Sequence, residues 1–254
     1  MELLVYLHGD IENCSNKGVI TGVGSAIGGI VSLTYGKVEG CYNEGNVIGK
    51  EQIGGIAGQL AAGGVIQKSK NSGRIEGLNY VGGITGAAFG NIEESYNEGE
   101  VIGTGQCIGG ICGYVGKEAI STIQNTYNKG KIIAEGNSAN YVGGICGYVG
   151  SNATSVNVKN NYNVGQIEIK GTGATYVGGA IGNITITSAI KADKNYYQLG
   201  VVTQAGSYTS GTSKTETEMK ADAFVNTMNE GLTEAAWEKA NRRNNGYPVL
   251  IGME

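Results

Sequence analysis

Residues that could carry acid–base or metal chemistry are few in this sequence. There is one histidine, His8, so the zinc-hydrolase arrangement His-Glu-any-any-His, which needs two histidines, cannot form. Glycan-cleaving enzymes need carboxylates that converge, often with calcium and a basic residue. The three aspartates, Asp10, Asp193 and Asp222, lie far apart in the chain. We therefore expect no catalytic residues, no metal site and no cofactor.

Tyrosine is the residue type that offers chemistry of another kind. The chain has 15 tyrosines, against two phenylalanines and one tryptophan. Many recur in two slots of the repeat described below. The first slot holds Tyr42, Tyr96, Tyr127, Tyr162 and Tyr197; the second holds Tyr80, Tyr141 and Tyr176, with Cys107 in one copy. Two columns of amphipathic rings indicate either packing between repeats or an exposed surface for a sugar or protein ligand. The five tyrosines of the first slot are the candidate ligand-binding residues.

These tyrosines belong to an internal repeat with two alternating blocks. An aliphatic-Gly-Gly block begins at Ile27, Ile53, Val81, Ile108, Val142 and Val177. An Asn-any-Gly block lies at Asn16, Asn43, Asn71, Asn97, Asn128 and Asn163, and degenerates to Gln198 with Gly200. Such a period means that each copy is one unit of a stacked repeat architecture. We interpret the six asparagines as a structural ladder, since amide side chains can satisfy a turn and bond one another along the stack.

Aliphatic residues keep fixed distances from this asparagine. Four residues after it, or after Gln198 in the last copy, stand Ile20, Val47, Ile75, Val101, Ile132, Ile167 and Val202. Short β-branched segments between glycines favour strands, and they can bury a face only if successive copies stack with their aliphatics in a central ladder. The prediction is an all-β protein, a right-handed parallel β-helix of about six three-strand rungs.

The pattern changes near the C-terminus. Residues 1–207 are assigned to the β-helix repeats and residues 208–254 to a capping segment. Thr215 and Glu218 form a capping-box pattern that begins a helix. Trp237 and the apolar residues 247–251 are expected to cover the exposed end of the last rung. The first rung has no comparable cap, so we expect the natural polypeptide to continue upstream as part of a larger protein.

The copies resemble the GLUG-motif repeats of bacterial cell-surface proteins, which also occur attached to immunoglobulin A-specific metallopeptidases. The family's Gly-Leu-any-Gly signature is similar to Gly55-Ile56-Ala57-Gly58, Gly83-Ile84-Thr85-Gly86, Gly110-Ile111-Cys112-Gly113 and Gly144-Ile145-Cys146-Gly147, with isoleucine in place of leucine. The resemblance covers about residues 10 to 202. It implies an extracellular or cell-surface location and no known catalytic residues.

Charge and the opening residues narrow the range of possible functions further. The net charge of −4 without clustered Lys and Arg argues against a nucleic-acid partner. The opening residues fit neither a signal peptide nor a membrane span, so no membrane insertion is expected of this chain. The leading hypothesis is a non-catalytic extracellular structural or adhesion module that binds a host or cell-wall glycan or a protein. A carbohydrate-binding module using the tyrosine columns is the alternative, and a solenoid polysaccharide-cleaving enzyme is the third.

Overall fold

The fold is described by a computed structural model that covers residues 6–202, 210–240 and 243–253, without the side chain of Tyr6. Its strands form four parallel sheets that run along a rod. Sheet 1 contains Tyr6–Leu7, Val31–Thr34, Ala57–Leu60, Thr85–Ala88, Cys112–Val115, Cys146–Val149 and Ile181–Ile184. Sheet 3 contains Ile20–Thr21, Val47–Ile48, Ile75–Gly77, Val101–Gly103, Ile132–Ala134 and Ile167–Ile169. Sheet 4 contains Ser25–Gly28, Glu51–Gly54, Asn79–Gly82, Ile108–Gly109, Tyr141–Gly143 and Tyr176–Gly178.

Sheet 2 is bent, because most rungs contribute two short strands to it. Its strands are Ile11–Glu12, Ser15–Asn16, Lys37–Glu39, Tyr42–Asn43, Val65–Gln67, Lys70–Asn71, Asn91–Glu93, Tyr96–Asn97, Ile120–Gln124, Tyr127–Asn128, Ser155–Asn163, Ile190–Gln198 and Thr212–Lys214. A residue with positive φ, such as Lys68, Glu94 or Asn125, lies between the two halves of each bend. A residue in the left-handed region of φ and ψ turns the chain sharply, so the strand is interrupted there and the sheet bends.

Strands of successive rungs pair in parallel and in register. Between two neighbouring rungs, for example, Ile66 pairs with Ile92, Asn71 with Asn97, and Ile75 with Val101. The prediction of a parallel β-helix is confirmed. Sheets 3 and 4 each contain six strands, one from each of six rungs. A typical rung, however, has five short strands in four sheets instead of the expected three strands.

The aliphatic residues form two cores where one central ladder was expected. The predicted column faces inward between sheets 3 and 4: Val47, Ile75, Val101, Ile132 and Ile167 are completely buried. A separate core lies between sheets 1 and 2, where Val38, Ile66, Ile92, Ile123 and Val158 meet Ile56, Ile84, Ile111 and Ile145. Each rung therefore has an apolar lobe on either side of a narrow waist.

The asparagine ladder and the Gly-Gly blocks meet at this waist. Asn71 Nδ2 donates to Asn97 Oδ1 at 2.8 Å and to the Gly73 carbonyl at 2.8 Å, and Asn97 repeats the pattern toward Asn128. A Cβ on Gly83 would lie 2.3 Å from Asn97 Cγ, so only glycine fits there. The two blocks alternate in sequence because they contact each other between neighbouring rungs. The six predicted asparagines are joined by five such side-chain bonds, from Asn16 to Asn163.

The last rung departs from the register read from the sequence. Tyr196, not Tyr197, pairs with Tyr162, and Tyr197 pairs with Asn163. Tyr197 therefore occupies the slot assigned to Gln198, where its ring lies against Gly179 and ends the ladder. The Gln198-any-Gly200 pattern had predicted the other register, but the connection from Tyr197 to Val202 is one residue longer than in the other rungs and contains Gly200 with a φ of +90°.

A second polar column escaped the sequence analysis. It follows the slot of Cys41 through Ser69, Ser95, Thr126, Asn161 and Asn195, all buried. The Ser69 hydroxyl accepts a bond from the Cys41 N–H at 3.1 Å, and the Asn161 amide oxygen accepts one from the Thr126 N–H at 2.9 Å. These side chains supply acceptors for N–H groups at the bend of sheet 2, where regular strand pairing is interrupted.

The C-terminal segment, residues 210–240 and 243–253, lies along the side of the rod. The strand Thr212–Lys214 extends the last rung by pairing with Tyr196–Gln198. Helix α1 (Glu216–Lys220) begins with the predicted capping box, and helix α2 (Asp222–Asn229) follows after a break at Ala221. The short strands Trp237–Glu238 and Val249–Leu250 then pair antiparallel. The predicted boundary at residue 207 lies outside the described residues.

The position of Trp237 and residues 247–251 corrects the expected cap. They do not cover the end of the last rung. Instead, the Trp237 ring centroid lies 6.1 Å from that of Tyr127 and 5.4 Å from that of Tyr162, on the outer face of sheet 2. A column of stacked tyrosine rings gives the segment a continuous amphipathic surface to bury, which explains the lateral placement.

Candidate ligand-binding surface

The first tyrosine slot forms a column of stacked rings on the outside of sheet 2. In-register pairing places Tyr96, Tyr127 and Tyr162 over one another, with centroids 4.6 Å and 5.0 Å apart and ring planes within 6° of parallel. Tyr196 continues the column. We call these four residues the covered column. Tyr42 shares the slot but is separated from Tyr96 by Lys70, whose ammonium lies 5.2 Å from the Tyr42 ring centroid.

The C-terminal segment closes this column to solvent. Tyr96, Tyr127 and Tyr162 are 4%, 3% and 0% exposed. They pack with Met219, Phe224, Met228, Trp237, Leu250 and Met253. The Tyr162 hydroxyl donates to the Pro248 carbonyl and accepts a bond from Asn244 Nδ2 at 3.0 Å. With the segment in place, these three rings offer no surface to a ligand.

The five tyrosines predicted for one ligand surface are thus separated. Tyr96, Tyr127 and Tyr162 lie together beneath the C-terminal segment, while Tyr42 is partly exposed at the start of the slot. Tyr197 contacts the core between sheets 1 and 2. Sequence reasoning missed Tyr196, because the longer turn of the last rung shifted the alignment by one residue.

Burial of the covered column predicts an alkaline transition. Desolvation raises the pKa of Tyr96, Tyr127 and Tyr162 far above their ordinary value. Unfolded tyrosine ionises near pH 10, so the unfolded state releases protons that the folded state retains. Stability from these groups is complete below about pH 10 and falls above it, by up to about 1.4 kcal/mol per pH unit for each tyrosine.

Phenolate absorbance during a pH titration, followed beside circular dichroism, checks this expectation. Partly exposed tyrosines should ionise first and without structural change, whereas the covered column should ionise only together with loss of β structure. Ionisation of all tyrosines in a single early phase, with the fold intact, would contradict the burial of the column.

The second tyrosine slot is on the other side of the rod and remains accessible. Tyr80, Tyr141 and Tyr176 lie on sheet 4, and Tyr114 and Tyr148 join them from sheet 1. All five rings are partly exposed. Successive centroids in the order Tyr80, Tyr114, Tyr148, Tyr141 and Tyr176 are 5.2, 5.9, 4.6 and 5.3 Å apart. We call this continuous row the tyrosine strip.

Close contact between sheets 1 and 4 brings the two halves of the strip together. A Cβ on Gly113 would lie 2.6 Å from the backbone nitrogen of Val81, so the backbones of neighbouring rungs touch there. Tyr114 and Tyr148 each follow the last glycine of a Gly-Ile-Cys-Gly copy. That shared position after the Gly-Ile-Cys-Gly copy could have identified Tyr114 and Tyr148 from the sequence. The prediction included only the tyrosines before the Gly-Gly block. Cys107 replaces a tyrosine in that slot; it is buried, and desolvation raises the pKa of its thiol.

Polar groups beside the strip are mostly uncharged. Asn183 pairs in register with Tyr148, and Asn140 Oδ1 accepts a bond from the Thr175 hydroxyl at 3.0 Å near Tyr141 and Tyr176. The Tyr114 hydroxyl accepts a bond from the Lys117 N–H at 3.1 Å. The strip therefore combines aromatic area with hydroxyl and amide groups.

The three aspartates do not converge in the part of the chain that the structure covers. Asp10 bonds the backbone N–H of Lys37 in the first rungs, Asp193 lies in the last rung, and Asp222 pairs with Lys239 in the C-terminal segment. Among the described residues, no group of three His, Cys, Asp or Glu side chains could hold a metal ion. No helix within those residues is long and apolar enough to cross a membrane.

Comparisons with known proteins bear on the fold. The chain matches no protein-family model and no curated protein. Its structure is similar to the crystal structure of a "putative immunoglobulin A1 protease" from Bacteroides ovatus, with a TM-score of 0.69 and 18% sequence identity over 93% of this chain and 74% of the other. At that identity the likeness establishes a shared architecture, the parallel β-helix, and nothing about activity.

Proposed function

We propose that this chain is a non-catalytic extracellular structural and adhesion module of a bacterial surface or secreted protein. The observation that carries the proposal is the uninterrupted stack of in-register rungs, joined by the asparagine ladder and filled by two apolar cores. Each inner rung is hydrogen-bonded to the rung before it and to the rung after it, which makes the stack stiff. A stiff rod suits a spacer that displays a binding surface.

Electrostatics of the outer surface support a non-catalytic role. Acidic side chains pair with lysines of neighbouring rungs, as Glu98 does with Lys129, Glu168 with Lys131, and Glu135 with Lys170. Hydrogen bonding to Lys131 lowers the pKa of Glu168, so this carboxyl stays ionised near neutral pH. A general acid needs the opposite shift. The GLUG resemblance and the protease name of the structural neighbour support a secreted setting.

The test of this proposal combines an activity assay with a location assay. The purified chain should release no reducing or unsaturated sugar from a polysaccharide panel, and no fragments from immunoglobulin A1. Antibodies against the chain should label intact cells, or the culture medium, of the source bacterium. Reproducible product release would overturn the non-catalytic role. Antigen found solely inside lysed cells would overturn the extracellular location.

A carbohydrate-binding module is the second candidate. The tyrosine strip favours it, since exposed amphipathic rings flanked by amides and hydroxyls supply both apolar contact and hydrogen bonds. Tyr96, Tyr127 and Tyr162, which the sequence analysis predicted as ligand-binding residues, are covered by the chain itself.

A further inference from the structure

The tyrosine strip presents ring edges to solvent more than ring faces. Tyr114, Tyr148 and Tyr141 each lie between two other rings of the strip. The Tyr114–Tyr148, Tyr148–Tyr141 and Tyr141–Tyr176 pairs have ring planes within 20° of parallel. Near-parallel rings cover one another's faces, so edges and hydroxyl groups form the accessible part of the inner rings. A ligand that makes a row of hydrogen bonds fits this surface better than one that stacks flat on a single ring.

The strip is also periodic along the rod. Tyr114 pairs in register with Tyr148, and Tyr141 with Tyr176, so equivalent rings are one rung apart, with centroids 5.9 Å and 5.3 Å from each other. An extended β-linked polysaccharide repeats its sugar unit at a comparable distance. If it lies parallel to the rod, successive sugars stay close to tyrosines of successive rungs over the length of the strip. The irregular surface of a folded protein has no such repeat to match.

Charge around the strip favours a neutral ligand. The strip members are tyrosines, and burial raises the pKa of Tyr80, Tyr114 and Tyr141, which keeps these hydroxyls protonated as donors at neutral pH. The charged groups that the described residues place beside it are Glu51, near Tyr80, and the Lys117–Glu118 ion pair, in the turn where the Lys117 backbone N–H bonds the Tyr114 hydroxyl. Lys117 and Glu118 offset each other and Glu51 lies at the Tyr80 end, so the strip offers no row of like charges to a polyanion or a polycation.

We propose that the tyrosine strip binds an extended, uncharged polysaccharide that lies parallel to the rod axis and contacts tyrosines of successive rungs. This proposal rests on the carbohydrate-binding candidate and names its ligand class and its residues. The strip crosses four rungs, from Tyr80 to Tyr176. Affinity should therefore rise with ligand length and level off at about four sugar units.

The experiment measures retention of the full chain on insoluble cellulose, chitin and β-1,4-xylan, with granular starch as a polymer of different geometry. The wild type should be retained by at least one of the three extended polymers and not by starch. The variant Tyr141→Ala with Tyr148→Ala should lose at least tenfold in affinity. Tyr35→Ala is the matched control, because Tyr35 is exposed outside the strip and also stacks on another ring, that of His8. It should bind like the wild type.

A second variant protects the test if the double alanine change disturbs folding. Tyr141→Phe with Tyr148→Phe keeps both rings and removes the hydroxyls, and it should reduce affinity severalfold. Titration with soluble oligosaccharides of the retained polymer should show the length dependence.

Failure to bind any of the three polymers, or equal retention of wild type and folded strip variants, would overturn the assignment of the ligand. So would binding of a protein through the strip without polysaccharide binding. None of these results would affect the non-catalytic role, which fails on product release.

Discussion

Replacing Val101 by Asp should unfold the middle of the rod. Val101 is completely buried between Ile75 and Ile132 in the core of sheets 3 and 4. A carboxyl group there has no partner, so it must either lose its charge or carry it into an apolar column. We expect a loss of more than about 4 kcal/mol in the free energy of unfolding, a large part of the stability of a typical domain. Thermal or urea denaturation followed by circular dichroism measures this loss.

A matched control for this change is Val23→Asp. Val23 is 80% exposed, so the same substitution places the carboxyl in water and should change stability by no more than about 0.5 kcal/mol. Equal stability of the Val101 variant and the wild type would mean that this column does not face a dry core. The register derived from the asparagine blocks would then be wrong as well.

The repeat made the core and the waist predictable from sequence. Positions such as Val101 and Asn97 recur with constant spacing, and in a stacked fold constant spacing means contact between copies. The division into two lobes was not predictable in the same way. The two lobes form because Gly83 and its equivalents approach the asparagine side chains. The spacing of the blocks along the chain does not show which blocks contact each other in the fold.

The fate of the tyrosines was decided outside the repeat. The first and second slots look equivalent in sequence, since both place tyrosine beside a repeat block. Most of the first slot is buried because residues 210–240 and 243–253, which have no periodicity, dock on Tyr96, Tyr127, Tyr162 and Tyr196. The contacts of such a segment depend on the one surface that it fits. Its apolar residues indicate that they are buried, but they do not indicate which part of the rod they bury against. The position of Trp237 could therefore not be inferred, whereas its burial could.

Replacing Phe224 by Ala should loosen the C-terminal segment from the covered column. Phe224 is buried, and its ring meets Tyr196 edge-on at 5.1 Å and Tyr162 at 6.2 Å. Removing a buried phenylalanine costs about 3–5 kcal/mol through lost apolar contact and the cavity that remains. We expect the docked state of the segment to be weakened by this amount, with exposure of tyrosines that are now covered.

Trp237 reports docking directly, because it is the single tryptophan of the chain and is 1% exposed against Tyr127 and Tyr162. In Phe224→Ala, tryptophan emission should shift to longer wavelength and become accessible to acrylamide, and protease cleavage within residues 210–253 should accelerate. Ile251→Ala is the control, since Ile251 lies in the same segment but is 44% exposed, and its emission should match that of the wild type. Unchanged emission and cleavage in the Phe224 variant would show that this contact does not hold the segment on the rod.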